Sequence, residues 1–352
     1  MAQAPRLSVV LAVWNGEAYL AESLRSIVAQ TFHDWELIVV DDGSTDQTAQ
    51  ILDQFQQEDA RIRVYSQPNC GLIASLNRGL AIATGEYVAR MDADDVSMPD
   101  RFAVQVEYMD QHQDIGICGS WIETFEPGTS AVVKYPSDDG AIRCQLIFSS
   151  ALAHPTVMLR RSVLVQYGLR YHEQAKYAED YDLWVRAAVY TRLANIPAVL
   201  LRYRVHPQQV DRRFAGKMEA SSQTIRLSQL TRLGISPTPE EARLHHNLSG
   251  WQFESSASFL STTREWFEKL VGANALTKIY PEEEFLAVLG QRWSNVCLLA
   301  TRSGWQTLIE FWRAPRLALS VWGPWQHLKF AVRCLFRKNP YTKVLGINRA
   351  TS

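Results

Sequence analysis

An α/β fold built on a doubly wound, mostly parallel sheet is predicted by three observations. Short apolar runs alternate with helix-period segments through the first half of the chain. Those runs are apolar on both faces, as strands covered by helices on each side must be. The conspicuous polar clusters follow directly after the runs, where the carboxyl ends of parallel strands place ligand sites.

The elements follow in order. Leu7–Val13 reads as a buried strand, and Leu20, Leu24, Ile27 and Val28 then fall on one face of a helix. Trp35–Val40 is a second strand ending in Asp41-Asp42-Gly43-Ser44. Ser44 with Gln47 three residues later predicts a capping box opening a helix through Ile51, Leu52 and Phe55. Arg61–Ser66 is a third strand, Leu72–Ala83 a helix, and Tyr87–Met91 a fourth strand. Pro99 opens a helix running to about Gln111, and Ile115–Trp121 is the fifth strand. Beyond Val210 the pattern becomes helical, broken at Ser236-Pro237-Thr238-Pro239, Tyr280-Pro281 and Ala314-Pro315. The chain therefore divides into an α/β domain over residues 1–210 and a helical region over 211–352.

With 47% hydrophobic and 21% charged residues, the 352-residue chain is globular and not disordered. Its net charge of −1 excludes a whole-chain polyanion binder. That total is a cancellation. Residues 311–352 carry eight Lys/Arg and no acid, while residues 1–310 carry the other 28 against 37 acids, a net of −9. The five cysteines are odd in number and lack any CxxC, which fits reduced thiols better than disulfides or structural zinc. The N-terminus has no signal-peptide pattern, and no apolar stretch reaches the roughly 18 residues of a spanning helix. A cytoplasmic protein, peripheral on the cytoplasmic face of the membrane, is expected.

Chemistry concentrates at strand ends. Asp92, Asp94 and Asp95 put three carboxylates within four residues after the fourth strand. Mutual repulsion calls for compensation, which a hard divalent cation bridging carboxylates to phosphate oxygens provides. A solvated turn capping the next helix is the competing reading of these residues alone. A GxGxxG fingerprint and a Walker A loop are both absent, which counts against nicotinamide cofactors and P-loop chemistry.

Six stretches resemble the GT-A fold family 2 inverting glycosyltransferases: SVVLAVWNGEAYLAESLRSIVAQTF at 8–32, ELIVVDDGSTDQT at 36–48, NCGLIASLNRGLAIATGEYVARMDADDVSMPDRF at 69–102, HPTVMLRR at 154–161, YAEDYDLWVRAA at 177–188 and YRVHPQQV at 203–210. The resemblance spans about residues 6–210. It implies a metal-dependent transfer of sugar from a nucleotide diphosphate, UDP-linked, to a hydroxyl of a glycan or lipid-linked glycan in polysaccharide biosynthesis. Asp92-Ala93-Asp94 matches the DxD motif, so Asp94, Asp92 and His206 are the expected ligands of Mn²⁺ or Mg²⁺, with Asp95 supporting. Val13, Trp14, Asn15, Glu17, Asp41, Asp42, Asn77, Arg90, Ala93 and Arg204 fall on nucleotide-sugar positions. Trp14 would stack on the base, and the Asp41-Asp42 pair would read base and ribose. Ala12 departs from the family's usual Pro. Glu179-Asp180 resembles the ED motif, whose second carboxylate is the general base, here Asp180. Arg202 joins Arg204 and His206 in a basic cluster, and His154 matches a recurrent position on the acceptor side.

Gln291-Arg292-Trp293 is only a shortened likeness of the Q-x-x-R-W motif of processive synthases, so one sugar per encounter is expected. A catalytically inactive nucleotide-sugar-binding or scaffold protein of the same fold is the alternative. A nucleotidyltransferase would need a Gly-rich, basic loop after strand one, which is missing. The tail over 311–352 interleaves its cations with Trp312, Trp322, Trp325, Phe330, Phe336 and Tyr341. That pattern predicts contact with an anionic membrane surface; a basic cap packed on the acidic body is the alternative. Nucleic acid is not an expected partner.

Overall fold

The computed structural model describes residues 4–126, 128–206 and 214–337. The chain separates into two compact units, one of residues 1–142 with 150–222, the other of residues 143–149 with 223–352. The boundary expected at 210/211 lies outside the described residues, as do residues 207–210 of the last family-like stretch and the cations Lys338, Lys343 and Arg349.

The first unit holds nine strands: β1 (Leu7–Val13), β2 (Trp35–Asp41), β3 (Ile62–Ser66), β4 (Tyr87–Asp92), β5 (Val96–Ser97), β6 (Ile115–Glu126), β7 (Thr129–Val133), β8 (Met158–Arg160) and β9 (Arg192–Arg204). Its helices are α1 (Leu20–Val28), α2 (Thr48–Glu58), α3 (Leu72–Ile82), α4 (Arg101–Gln111), α5 (Asp139–Gln145), whose last residues pass into the second unit, α6 (Arg161–Tyr167) and α7 (Glu179–Ala187). The sheet order is β3-β2-β1-β4-β8-β6-β9-β5, with β7 added on β6. From β3 to β4 every pairing is parallel, as the doubly wound reading requires. β8 is inserted antiparallel between β4 and β6, and β6 runs parallel to β9.

Continuous apolar runs place β1 and β2 inside the parallel part of the sheet, between β3 and β4, where Leu7, Val9, Leu11, Leu37 and Val39 are fully buried. α3 approaches β1 so closely that a Cβ on Gly79 would meet Val10 Cγ1 at 2.4 Å. Three details differ from expectation. The capping box does not form, because Ser44 Oγ donates to Asp41 Oδ1 at 2.6 Å and Gln47 caps α2 without a side-chain bond. The two-residue β5 adds a strand that no periodicity could mark, and the strand expected to end at Trp121 runs on to Glu126, where β7 pairs with it.

The helix α8 (Ala215–Arg232) crosses the division between units. The second unit continues with α9 (Pro239–Ser249), α10 (Ala257–Thr277), α11 (Glu282–Leu299), α12 (Trp305–Arg313), α13 (Pro315–Leu319) and α14 (Pro324–Leu335). α9 carries a full capping box, with Thr238 and Glu241 each bonding the other's backbone. Up to residue 337 the basic segment is no appended tail. Phe311, Ala314, Leu317, Ala318, Phe330 and Cys334 belong to this unit's core. Trp293 is fully buried there, and the Arg292 guanidinium lies 3.9 Å from the Phe148 ring centre.

His245 is buried in the same core. Its Nε2 bonds Ile147 O at 3.0 Å, while Nδ1 accepts from Trp266 Nε1 at 3.2 Å. Both bonds need the neutral ring protonated on Nε2 alone. Burial, with help from neighbouring cations, pushes the imidazole down to about 3. The unfolded state therefore takes up the proton first, so stability is full above the unfolded value near 6.5 and declines below it. Urea melts of this unit should lose about 1.4 kcal/mol between about pH 7.5 and 5.5 through His245. His245→Gln should flatten that dependence; equal pH slopes in the two proteins would refute the assignment.

Candidate active site

Register brings the strand-end groups together. Val13 pairs with Asp41 across β1 and β2, and Ala12 pairs with Asp92 across β1 and β4. All three loops therefore leave one edge of the parallel sheet side by side.

The loop after β1 is bolted to the loop after β2. Asn15, at φ 52°, donates its N–H to Ser44 Oγ at 2.9 Å and accepts from Thr45 N at 2.8 Å. Glu17 accepts from Gln47 N at 3.0 Å at the start of α2, where a carboxylate also meets the helix dipole. Trp14, beside them, is 54% exposed, so it is not a core residue. Asp41 is engaged by Ser44. Asp42 accepts from Gln67 Nε2 at 2.7 Å and from the N–H groups of Cys70 and Gly71 at 2.9 and 2.8 Å. Burial opposes its charge, but these donors hold its carboxyl below the usual range. In this arrangement Asp42 organises the 67–71 loop.

The three carboxylates at the end of β4 converge, with one ligand atom of each of Asp92, Asp94 and Asp95 lying within 4.8 Å of the others. Asp92 pairs with the buried Arg90. Arg101 is fully buried and donates to Arg90 O at 2.8 Å, while Ser23 Oγ donates to Asp92 O at 2.9 Å. Both bonds hold the end of β4 in place. Neither residue stands out in the sequence, where the only signal is Arg101 standing within Pro99-Asp100-Arg101-Phe102.

Tertiary pairing then adds the end of β9. β9 lies beside β5, which follows the aspartates directly. Arg204 donates its N–H to Asp95 Oδ1 and its Nε to Asp94 O, both at 2.8 Å, and His206 Nε2 meets Asp94 Oδ2 at 2.9 Å. Arg204 also reaches Glu22 at 2.5 Å and stacks over Tyr19 at 4.5 Å. Arg202 instead pairs with Glu123 at 3.3 Å. Asp95 is fully enclosed, and burial together with the charges of Asp92 and Asp94 pushes its carboxyl well above the usual range. Its Oδ2 is buried without a hydrogen bond. Clustered carboxylates, an imidazole and an orphaned buried oxygen form a donor set that fits a hard divalent cation.

Glu179 and Asp180 open α7. Tyr177, at φ 72°, sets the turn ahead of them. Glu179 is 8% exposed, and burial with the adjacent Asp180 charge lifts its carboxyl to about 7. Burial raises the Tyr171 phenol, and after the opposing Arg90 the charges of Asp180, Glu179 and Asp92 all act on it. The charges of the Glu-Asp pair, of Asp92 and of Arg90 thus all act on this one phenol. Asn77 braces the same segment by exchanging both amide bonds with the Tyr171 backbone, at 2.9 and 3.0 Å. His154 Nε2 bonds Tyr171 Oη at 2.8 Å. Burial, then Arg90, keeps that imidazole well below the usual range.

The profile of glycosyl transferase family 2 matches residues 8–168. The O-antigen biosynthesis glycosyltransferase WbnJ of Escherichia coli is 31% identical over 226 residues, 62% of this chain and 87% of its own. An uncharacterised glycosyltransferase of Haemophilus influenzae is 33% identical over 242 residues, 66% of this chain and 75% of its own. The chain belongs to glycosyl transferase family 2. Among solved structures, Staphylococcus aureus TarS 1–349 in complex with UDP-GlcNAc aligns over 93% of this chain and 91% of its own, with TM-score 0.54 and 18% identity. The mannosyltransferase PcManGT of Pyrobaculum calidifontis, in complex with GDP-Man and Mn²⁺, aligns over 97% and 88%, with TM-score 0.53 and 16% identity. The GT-A-type fold expected of a family 2 enzyme is thus present, and the protein is a glycosyltransferase.

Proposed function

We propose that this family 2 enzyme transfers a sugar from a UDP-linked donor, with inversion and dependence on a divalent cation, to a hydroxyl of a glycan or lipid-linked glycan, one unit per encounter. The observation that carries the reading is the convergence of Asp92, Asp94 and Asp95 at the end of β4, closed by Arg204 and His206 from the end of β9. The UDP-GlcNAc bound by TarS and the GDP-Man and Mn²⁺ bound by PcManGT support it, as does the O-antigen role in the name of WbnJ.

Asp94, Asp92 and His206 would hold Mn²⁺ or Mg²⁺, which would supply positive charge to offset that of the departing diphosphate. Trp14 offers its exposed face to the base, and Asp41 and Asp42 shape the pocket for base and ribose. Asp180 takes the proton of the acceptor hydroxyl as its oxygen bonds the anomeric carbon and the bond to the diphosphate breaks on the opposite face. Glu179 and Arg90 set the electrostatic surroundings of that base.

Thermal melts with a panel of UDP- and GDP-sugars, with and without Mn²⁺, test the reading. At a hundredfold excess over Kd the donor adds about 2.7 kcal/mol of stability, a melting shift of several degrees. A metal-dependent shift with UDP-sugars, followed by transfer or slow donor hydrolysis, is expected. No shift with any donor overturns the proposal; a shift without turnover leaves a binding or scaffold protein.

A further inference from the structure

The second unit exposes an apolar face that its own core does not use. On α14, Phe330 and Cys334 turn inward and are buried. Trp325, Leu328, Val332, Leu335 and Phe336 turn outward, exposed by 43–68%. At 3.6 residues per turn these five lie within an arc of roughly 100°, a second apolar stripe facing away from the first. Lys329 and Arg333 follow along one flank of that stripe, and Arg337 stands beyond the helix end.

α12 repeats the arrangement. Phe311 is buried, while Trp305, Ile309 and Trp312 share one outward stripe at 64, 52 and 44% exposure. The two helices run antiparallel side by side. The Phe311 and Phe330 rings pack at 4.6 Å and those of Trp312 and His327 at 5.2 Å, while a Cβ on Gly304 would lie 3.3 Å from Arg337 Nε.

We propose that the outward face of α12 and α14 docks this protein on an anionic lipid bilayer. Amphipathic helices of this make-up lie in the interface with apolar side chains among the acyl chains, Trp rings at headgroup depth and cations against lipid phosphate. Charge selects the occupant. Glu310 is the last acidic residue of the chain, and the eight cations after it have no acidic counterpart in their own segment. Among the described residues Lys329, Arg333 and Arg337 form no ion pair with a carboxylate, whereas Arg313 and Arg316 pair with Glu310 and Glu282. A second copy of the chain meeting this face symmetrically would set those cations against their own equivalents. The segment's surface role therefore resides in exposed stripes on folded helices, beginning at Trp305, ahead of the basic stretch itself. Docking of this kind is independent of the transfer chemistry.

The test is co-sedimentation of the full chain with vesicles of phosphatidylcholine alone or with about one third phosphatidylglycerol. Deleting residues 311–352 is unsuitable, because it also removes core residues Phe311 and Phe330. The double variant Leu328→Glu with Leu335→Glu changes only exposed positions, and an unchanged melting temperature confirms that it folds. The wild type should pellet with the anionic vesicles and stay in solution with the neutral ones. Its binding should weaken at least about tenfold in high salt and in the double variant. Equal binding by the variant, or no binding to anionic vesicles, overturns the proposal. A wild-type dimer that the variant dissolves, with no vesicle binding, assigns the face to a second copy and overturns it too.

Discussion

Asp180→Asn should lower the transfer rate by about 10²–10⁴-fold while leaving donor binding close to wild type. The amide keeps the shape of the carboxylate but cannot take the acceptor's proton. Its position at the first turn of α7 tolerates Asn, since the following turn is held by Tyr181, Leu183 and Trp184 in the core. The partner control is Glu179→Gln. Glu179 is enclosed, and burial with the Asp180 charge lifts its carboxyl to about 7, so under the proposed roles it tunes the charge beside the base. We expect that variant to stay within about tenfold of wild type in transfer. Steady-state transfer assays and donor titrations on both variants decide the matter. A fully active Asp180→Asn with a dead Glu179→Gln would exchange the two roles.

Asp94→Asn should abolish the cation-dependent part of both donor binding and turnover. Asp94 joins the cluster to His206 at 2.9 Å, and its backbone carbonyl is held by Arg204, so the substitution removes a charge without freeing the loop. Losing the stabilisation of the leaving diphosphate costs several kcal/mol, which is about 10²-fold or more in rate. In melts, the shift produced by Mn²⁺ with a UDP-sugar should disappear, while the melting temperature without ligand stays the same or rises as mutual repulsion in the cluster is relieved. Chelation of the wild type should reproduce the variant's behaviour. If the variant retains a Mn²⁺-dependent shift equal to wild type, Asp94 is not a ligand.

Much of the catalytic unit is legible in the amino-acid sequence. The runs Leu7–Val13 and Trp35–Val40 read as strands because a parallel sheet buried on both faces tolerates little polar interruption. The aspartates after β4 stand out because three neighbouring carboxylates require an explanation. Ser44 illustrates what a local pattern misses. Spacing alone offers it as a helix cap, yet Asp41 and Asn15 claim its hydroxyl from a strand end and a neighbouring loop. Arg101 and Ser23 are invisible in the pattern because their task is to hold the β4 backbone, and such contacts leave no periodic trace.

Charge shows the same division. Arithmetic along the chain locates an acidic body and a basic end, and it points to a surface for the end. Composition cannot say which of the aromatic residues are spent inside. Phe311 and Phe330 are buried in the second core, while Trp305 and Trp325 face out, and only packing against neighbouring helices makes that choice.

What the amino-acid sequence determined by itself was the strand–helix alternation from β1 to α4 apart from the short β5, the family, and the acidic residues at the strand ends. Those depend on local periodicity and on motifs only a few residues long. What tertiary structure decided was the joining of Asp94 and Asp95 to Arg204 and His206, more than a hundred residues apart in the chain. It also brought the charges of Asp92, Glu179 and Asp180 to act on the Tyr171 phenol together with that of Arg90. Both depend on strand pairing across the sheet, a long-range outcome of core packing that no single stretch of the chain encodes.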